Sequence, residues 1–238
     1  MEIRVDSLIE GACRAEGTAI IVDVYRAFTT AAVAFSRGAQ QIILVPEIEE
    51  ALELRDRGVG ELCIGEVGGV RPDGFDFGNS PYELSRADVR GRILIQSTRA
   101  GTVGVASARR AGRVYVGSLA IAAATARAVL KAAPQLVTIV AMGWEGKIRT
   151  DEDELCAWYI KNLLEGRRPD REAIAALVQV GEHSQKFDDP AQPQYHPQDR
   201  EIALDVDSVG LAIRVDLKDG LLVASAEALE APARDRQP

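Results

Sequence analysis

Short, uninterrupted apolar runs recur along this chain, and most are followed by an alanine-rich or amphipathic helical pattern. The runs are Thr18–Val24 (TAIIVDV), Gln40–Pro46 (QQIILVP), Glu61–Gly65 (ELCIG), Arg92–Gln96 (RILIQ), Arg113–Leu119 (RVYVGSL) and Leu136–Gly143 (LVTIVAMG). They are short for helices and lack the polar alternation of half-exposed strands, so each reads as a strand covered on both faces. Helical patterns follow up to Gly38, over Glu47–Arg57, briefly over Pro81–Ala87, from Thr102 to Arg110, behind Ser118 and over Asp151–Leu164. Strand–helix alternation of this kind predicts an α/β fold, a three-layer α/β/α arrangement with a mainly parallel central sheet and right-handed crossovers.

In such folds ligands collect beyond the carboxyl ends of the strands. The strand ends carry Asp23 with Arg26, Thr29 and Thr30; the 65–80 loop; Ser97–Thr102; Gly117 and Ser118; and the stretch from Gly143 to Asp153. Topology alone therefore predicts that these groups converge.

The loop over 64–81, IGEVGGVRPDGFDFGNSP, packs Gly65, Gly68, Gly69, Gly74 and Gly78 among Glu66, Asp73, Asp76, Asn79, Ser80 and Arg71. So much glycine disfavours both helix and regular strand, because glycine loses the most backbone entropy on ordering. It does allow backbone N–H groups to turn towards an anion while the acids between them hold a cation. Glycine and aspartate are also ordinary turn residues. The length favours a functional loop, since long structureless connections are uncommon in compact domains.

After Pro169 the character of the sequence changes. Lys186–Asp199, KFDDPAQPQYHPQD, is proline-rich without apolar periodicity and reads as a surface loop or lid. Leu204–Val223 alternates as strands do, with Lys218-Asp219-Gly220 as a hairpin turn, and is expected to add antiparallel strands to an edge of the sheet. Residues 1–230 read as one α/β domain, with 231–238 as a disordered tail. No internal repeat is present.

With 238 residues, 47% of them hydrophobic and 27% charged, the chain can bury a large core. A formal net charge of -8 argues against a nucleic-acid partner, which needs a basic face. It also means that an anionic ligand requires a local sign reversal, by a metal ion or an arginine cluster. Cys13, Cys63 and Cys156 are scattered, which fits a reducing compartment better than a disulfide framework or a zinc site. The amino-terminal residues have charges where a signal peptide is apolar, and no apolar run reaches a membrane span. The expectation is a cytoplasmic protein without membrane or nucleic-acid partners. A homodimer is compatible with the sequence, which does not fix the oligomeric state.

Asp23 closes an apolar strand, the usual place of a catalytic or metal-ligating carboxylate, although an aspartate before a helix also serves as an N-cap. Position 25 is Tyr, so the paired aspartates of a haloacid-dehalogenase nucleophile are not present. Arg26 with Thr29 and Thr30 lies at a helix N-terminus that already favours anions, and arginine adds a fork for phosphate or sulfonate oxygens. Ser97, Thr98, Arg99, Gly101 and Thr102 repeat that pattern after the next strand but two. Thr150 and Asp153 approximate a capping box, and first-turn acids are ordinary dipole complements. Together with Asp23 and Glu66, however, Glu152 and Asp153 provide hard oxygen ligands on one edge, which suits Mg²⁺. Asp76 is a further metal candidate, or else a turn residue. His183 and His196 reach the site only if their segment closes as a lid, and Cys156 reads as core.

The strings DVYRAFTTAAVAFSRGA, IGEVGGVRPDGFDFGNSP, STRAGT, VYVGSLAIAAATA and DEDELCAW occur in an order that resembles the 2-phosphosulfolactate phosphatase family, from about residue 18 to 160. The tail VDSVGLAIRVDLKDG is similar as well, and GFDFGNSP is the most specific string. The resemblance implies a Mg²⁺-dependent phosphatase that converts 2-phospho-3-sulfolactate to 3-sulfolactate, on the route to coenzyme M or sulfolactate. Asp23, Arg26, Thr29, Thr30, Glu66, Gly74, Asp76, Asn79, Ser80, Pro81, Gly101, Thr102, Gly117, Ser118, Glu152 and Asp153 fall on its motifs. Two departures stand out: Val67 follows Gly65-Glu66 where the family often has arginine, and the 97–102 turn lacks an asparagine. Arg71 or Arg99 is the candidate replacement for that charge. The implied site has Asp23, Glu66 and Glu152 or Asp153 on Mg²⁺, and Arg26 with the 97–102 turn on the phosphoryl group. Alternatives are another small anionic phosphoester as substrate, or a non-catalytic anion-binding protein on the same scaffold.

Overall fold

The structure, a computed structural model, describes residues 1–228; the expectation for 231–238 lies outside the described residues. Nine strands form one sheet. They are β1 (Glu2–Ser7), β2 (Gly17–Val22), β3 (Gln41–Val45), β4 (Leu62–Gly65), β5 (Ile93–Ser97), β6 (Ala111–Gly117), β7 (Leu136–Ala141), β8 (Leu211–Lys218) and β9 (Leu221–Ala228). Their order is β1-β7-β2-β6-β8-β9-β3-β5-β4. Two parallel blocks, β1-β7-β2-β6 and β3-β5-β4, flank the antiparallel hairpin β8-β9. The six apolar runs are all strands, and helices interleave with them as the alternation requires.

The hairpin turns at Asp219 and Gly220, both at positive φ (50° and 82°), as a tight two-residue connection demands. Its location corrects the sequence expectation. It does not extend an edge but is inserted in the middle, β8 pairing with β6 and β9 with β3. The physical reason is burial on both faces: Ala212 and Ile213 of β8 and Val223 and Ala224 of β9 are core residues. Residues 204–210, read as the start of a strand, instead lie at and beyond the end of a helix. The edge strand β1 and two late helices, α8 (Arg171–Gln179) and α9 (Pro197–Leu204), are additional to the elements read from the sequence.

The helices that build the site are α2 (Ala27–Ser36), α5 (Gly101–Ser107) and α7 (Asp151–Leu164). Helix α1 (Leu8–Arg14) packs beside α5, and α4 (Pro81–Arg86) beside α2; α3 (Ile48–Asp56) and α6 (Ala122–Ala132) complete the layers. Every residue of α2 from Ala27 to Phe35 is buried. Alternate residues of the strands divide the core: Ile21, Leu44, Leu94 and Val116 face α2 and α5, whereas Ile20, Val22 and Ile139 face α6 and α7, and Ile43 and Ile95 face α3. The sheet curls around α2. This follows from groups at the ends of strands far apart in the order: Asp23 after β2 and Glu66 after β4 wall one cavity, and Gln96 near the end of β5 donates Nε2 to the carbonyl of Ala27, the first residue of α2, at 2.9 Å. That curl carries the ends of β4 and β5 across to the end of β2.

Candidate active site

Beyond the curled strand ends lies a cavity walled by Asp23, Tyr25 and Arg26 after β2, Glu66, Gly69 and Asn79 after β4, and Arg99 and Ala100 after β5. Gly143, Trp144 and Glu145 after β7, and Tyr195 from the proline-rich segment, close it. The segment read as a loop or lid does fold over the strand ends.

Asp23 is buried. One carboxylate oxygen, Oδ1, accepts the Ala27 N–H at 3.0 Å, which makes the residue a cap of α2 as well as a wall of the cavity. Its pKa is pushed up to about 6, first by loss of water and then by the charge of Glu66. Glu66 fastens two loops together. Its Oε2 accepts the Gly69 N–H at 2.7 Å and its Oε1 the Arg99 N–H at 2.9 Å. Gly69 sits at φ +83°, in a position where a Cβ would overlap the Tyr195 hydroxyl, so only glycine allows the lid to approach this closely.

Arg26 faces the cavity, but its fork is engaged within the protein. Nη1 donates to Asp199 Oδ2 and to the Gln194 carbonyl, both at 2.7 Å, and Nη2 to the Gly69 carbonyl at 3.1 Å. Its guanidinium also stacks over the Tyr195 ring at 4.7 Å. Arg26 therefore anchors the lid. Asp199, fully buried, takes Ser80 Oγ at 2.6 Å and the Tyr82 N–H at 3.0 Å on its other oxygen. Arg99 lines the cavity, reaches back to the Pro46 carbonyl, and keeps a buried Nε without a partner. Asn79 lines it too, with Oδ1 unpartnered.

The other predicted residues are placed as follows. Asp153 bridges two strand ends, accepting the Val24 N–H at 2.7 Å and the Gly143 N–H at 2.8 Å. Burial and the neighbouring Asp23 hold its pKa well above the usual carboxylate range. Glu152 is buried in the first turn of α7 with Oε2 unpartnered, and desolvation pushes its pKa up to about 8. Asp76 lies away from the cavity wall, accepting the Cys63 N–H at 2.7 Å and pairing with Arg55 at 3.6 Å. Arg71 is exposed and donates to the Asp76 carbonyl at 3.3 Å. Thr29 donates to the Val24 carbonyl; Thr98 and Thr102 bond to one another across the turn into α5; Ser80 caps α4. The hydroxyls of Thr30, Ser97 and Ser118 are buried and unpartnered. Gly101 opens α5 where a Cβ would come within 2.9 Å of Asp23 Oδ2.

The fit to a divalent ion is thus narrower than the sequence suggests. Among the described residues no group of three or more acids, histidines and cysteines is placed to hold a metal. Asp23 and Glu66 do share the cavity and repel one another. A pair of carboxylates fits Mg²⁺, which keeps several waters and uses one or two carboxylates besides substrate oxygens. The residues that sequence reasoning did not select are Asp199, Tyr195, Trp144 and Lys186. The only signal for them was the lid reading of their segment and, for Trp144, its place after a strand.

A model of the 2-phosphosulpholactate phosphatase family matches residues 4–196. The chain belongs to that family. Among its relatives, a probable 2-phosphosulfolactate phosphatase of Thermus thermophilus is 39% identical over 153 residues, covering 64% of each chain. That of Deinococcus radiodurans is 36% identical over 64% of this chain and 63% of its own length. That of Bacillus subtilis is 34% identical over 76% of this chain and 78% of its own. The chain thus spans just under two thirds of the first two relatives and more of the third. The family match ends at residue 196, three residues before Asp199, the partner of Arg26.

Proposed function

We propose that this protein hydrolyses the phosphomonoester of 2-phospho-3-sulfolactate, yielding 3-sulfolactate and phosphate, with Mg²⁺ as cofactor. The observation that carries the reading is the juxtaposition in one cavity of a repelling acid pair, Asp23 and Glu66, with Arg99 and Asn79. Membership of a family whose members are named for that substrate supports it. Mg²⁺, when bound, would be held by Asp23 and Glu66 and would supply neutralisation of the phosphoryl charge.

The chain's own groups account for the rest. Arg99 offers its unpartnered Nε–H to the ester's phosphoryl, carboxylate and sulfonate oxygens, and the NH₂ group of Asn79 is a further donor in the same cavity wall. Glu66 fixes the backbone of both loops that carry these groups, so that they are oriented before substrate arrives. Asp23 orients the attacking water, of whose two protons one ends on the released alcohol and one on the phosphate. The lid, latched by Arg26 and Asp199, excludes bulk water. Most of the rate comes from positioning and electrostatics, as is general for phosphoryl transfer.

The test is hydrolysis of 2-phosphosulfolactate by the purified protein, with Mg²⁺ or with chelator, beside a panel of other small phosphoesters. Turnover that chelator abolishes and Mg²⁺ restores is the expected result. Turnover of a different ester only would reassign the substrate, and none with any ester would leave an anion-binding protein. Glu66→Gln should lower kcat by about 10²–10³-fold, the scale on which preorganised polar groups act. With an ester made chiral at phosphorus by isotopic or sulfur substitution, hydrolysis should invert the configuration, one in-line displacement by water, whereas net retention would mean two displacements through covalent attack by Asp23.

A further inference from the structure

Lys186 lies in the short 3₁₀ segment Glu182–Asp188 at the start of the lid. Its Nζ is 4.9 Å from the ring centre of Tyr195, 5.1 Å from that of Trp144 and 5.6 Å from that of Tyr25. These same three rings wall the cavity. Phe187, edge-on to Tyr25 with ring centres 4.8 Å apart, is a fourth ring about the ammonium, at 5.5 Å.

An ammonium carries three donors and is strongly hydrated in water. Here the side chain is largely covered, and no carboxylate among the described residues lies within the 4.0 Å of an ion pair. The surrounding rings attract a cation but accept no full hydrogen bond, so they replace only part of its hydration. Burial, with the charge of Arg26, draws the lysine's pKa below its ordinary value, and the nearby carboxyls of Glu152, Asp23 and Asp153 offset only part of that. Lys186 touches no acid, and its ammonium lies beside three rings that wall a cavity also lined by Arg99 and Asn79.

We propose that Lys186 is a substrate-contacting residue whose ammonium, aimed by the Tyr25, Trp144 and Tyr195 rings, donates to a phosphoryl oxygen of the bound ester. The assignment rests on the phosphoester reading of the cavity. It also bears on the problem set by the net charge of -8, because a lysine on the lid adds a positive donor beside Arg99 where a multiply charged anion must bind. Because Lys186 and Tyr195 belong to the segment latched by Arg26, the donor is in place only when the lid is.

The experiment uses inorganic phosphate as the probe, so that binding is read without turnover. Calorimetric titration of the full chain is compared for wild type, Lys186→Met and Lys186→Arg, each checked for its thermal melt. Lys186→Met should weaken phosphate binding by about 10–100-fold, the range for a lost hydrogen bond to a charged group. Lys186→Arg should recover much of it, and KM for the ester should rise in Lys186→Met. Phosphate affinity and kcat/KM both within twofold of wild type in Lys186→Met would overturn the assignment. So would an altered melt with unchanged affinity, the signature of packing alone. Lysine-dependent phosphate binding by a protein that hydrolyses no ester would defeat the hydrolase reading and leave Lys186 as an anion contact. Hydrolysis undiminished in Lys186→Met would do the reverse.

Discussion

Arg26 and Asp199 form an ion pair in which both partners are almost wholly withdrawn from water, 3% and 0% exposed, with Nη1 and Oδ2 2.7 Å apart. Asp199→Asn keeps the shape and removes the charge. Three consequences can be read from the contacts. The guanidinium loses its counter-ion in a place where water cannot substitute. Whichever way the new amide turns, its NH₂ faces either Arg26 or the Ser80 hydroxyl and Tyr82 N–H, all donors towards Asp199. Arg26 then keeps the lid through the Gln194 carbonyl and the Tyr195 ring, and the glycine loop through the Gly69 carbonyl, with no charge to balance it. Breaking a buried pair by neutralising one partner costs about 3–5 kcal/mol. Against a typical total of about 5–15 kcal/mol that is a large share, and for a chain of this size it corresponds to a fall in Tm of roughly 6–20 °C.

Urea unfolding followed by circular dichroism measures it, the midpoint falling while the slope m stays constant. The double variant Arg26→Met with Asp199→Leu separates the pair from its surroundings. It should be destabilised by less than the two single changes added together, because no charge is stranded. An Asp199→Asn loss below about 1 kcal/mol, in the range of an exposed pair, would refute the reasoning, as would additive single effects.

What the sequence could show followed from burial pattern. Runs such as Ile42–Val45 and Leu136–Ala141 are apolar throughout because helices cover both faces, and that pattern is local. Strand β1, EIRVDS, hides at the sheet edge, where it is only part-buried and carries charges. The hairpin reads as an edge because Arg214, Asp216 and Lys218 punctuate it, yet its neighbours in the sheet are set by which parallel blocks remain to be joined. The site divides in the same way. Asp23, Glu66 and Arg99 follow strands directly, so the topology of parallel sheets announces them. Asp199 and Lys186 sit among Gln, Asp and Pro in stretches that look solvated, and only the closure of the lid buries them. Conversely, spacing put Asp153 and Asp76 near the rim, but spacing does not reveal that Asp153 is turned to tie Val24 to Gly143, and Asp76 to Cys63 and Arg55, neither lining the cavity.

Two further outcomes are expected. Gly101→Ala would bring a Cβ to 2.8 Å from that of Ala27 and 2.9 Å from Asp23 Oδ2. Such overpacking costs about 1–3 kcal/mol, and because Asp23 must move, turnover should fall further than the thermal melt alone predicts. Glu152 should impose a pH dependence on stability. Its folded-state pKa of about 8 lies above the ordinary carboxylate value because the charged form is desolvated. The folded protein therefore binds a proton that the unfolded chain has already released. The stabilisation is fully present below about pH 4.3, the unfolded value for glutamate, and is lost as pH rises towards 8. At about 1.4 kcal/mol per pH unit, the loss is at most about 5 kcal/mol, with the opposing field of Lys186 already included. Urea midpoints at pH 5.5 and 8.5 should differ more in wild type than in Glu152→Gln, which cannot ionise. Equal differences in the two proteins would mean that Glu152 is already charged in the fold, and that Lys186 rather than a proton neutralises it.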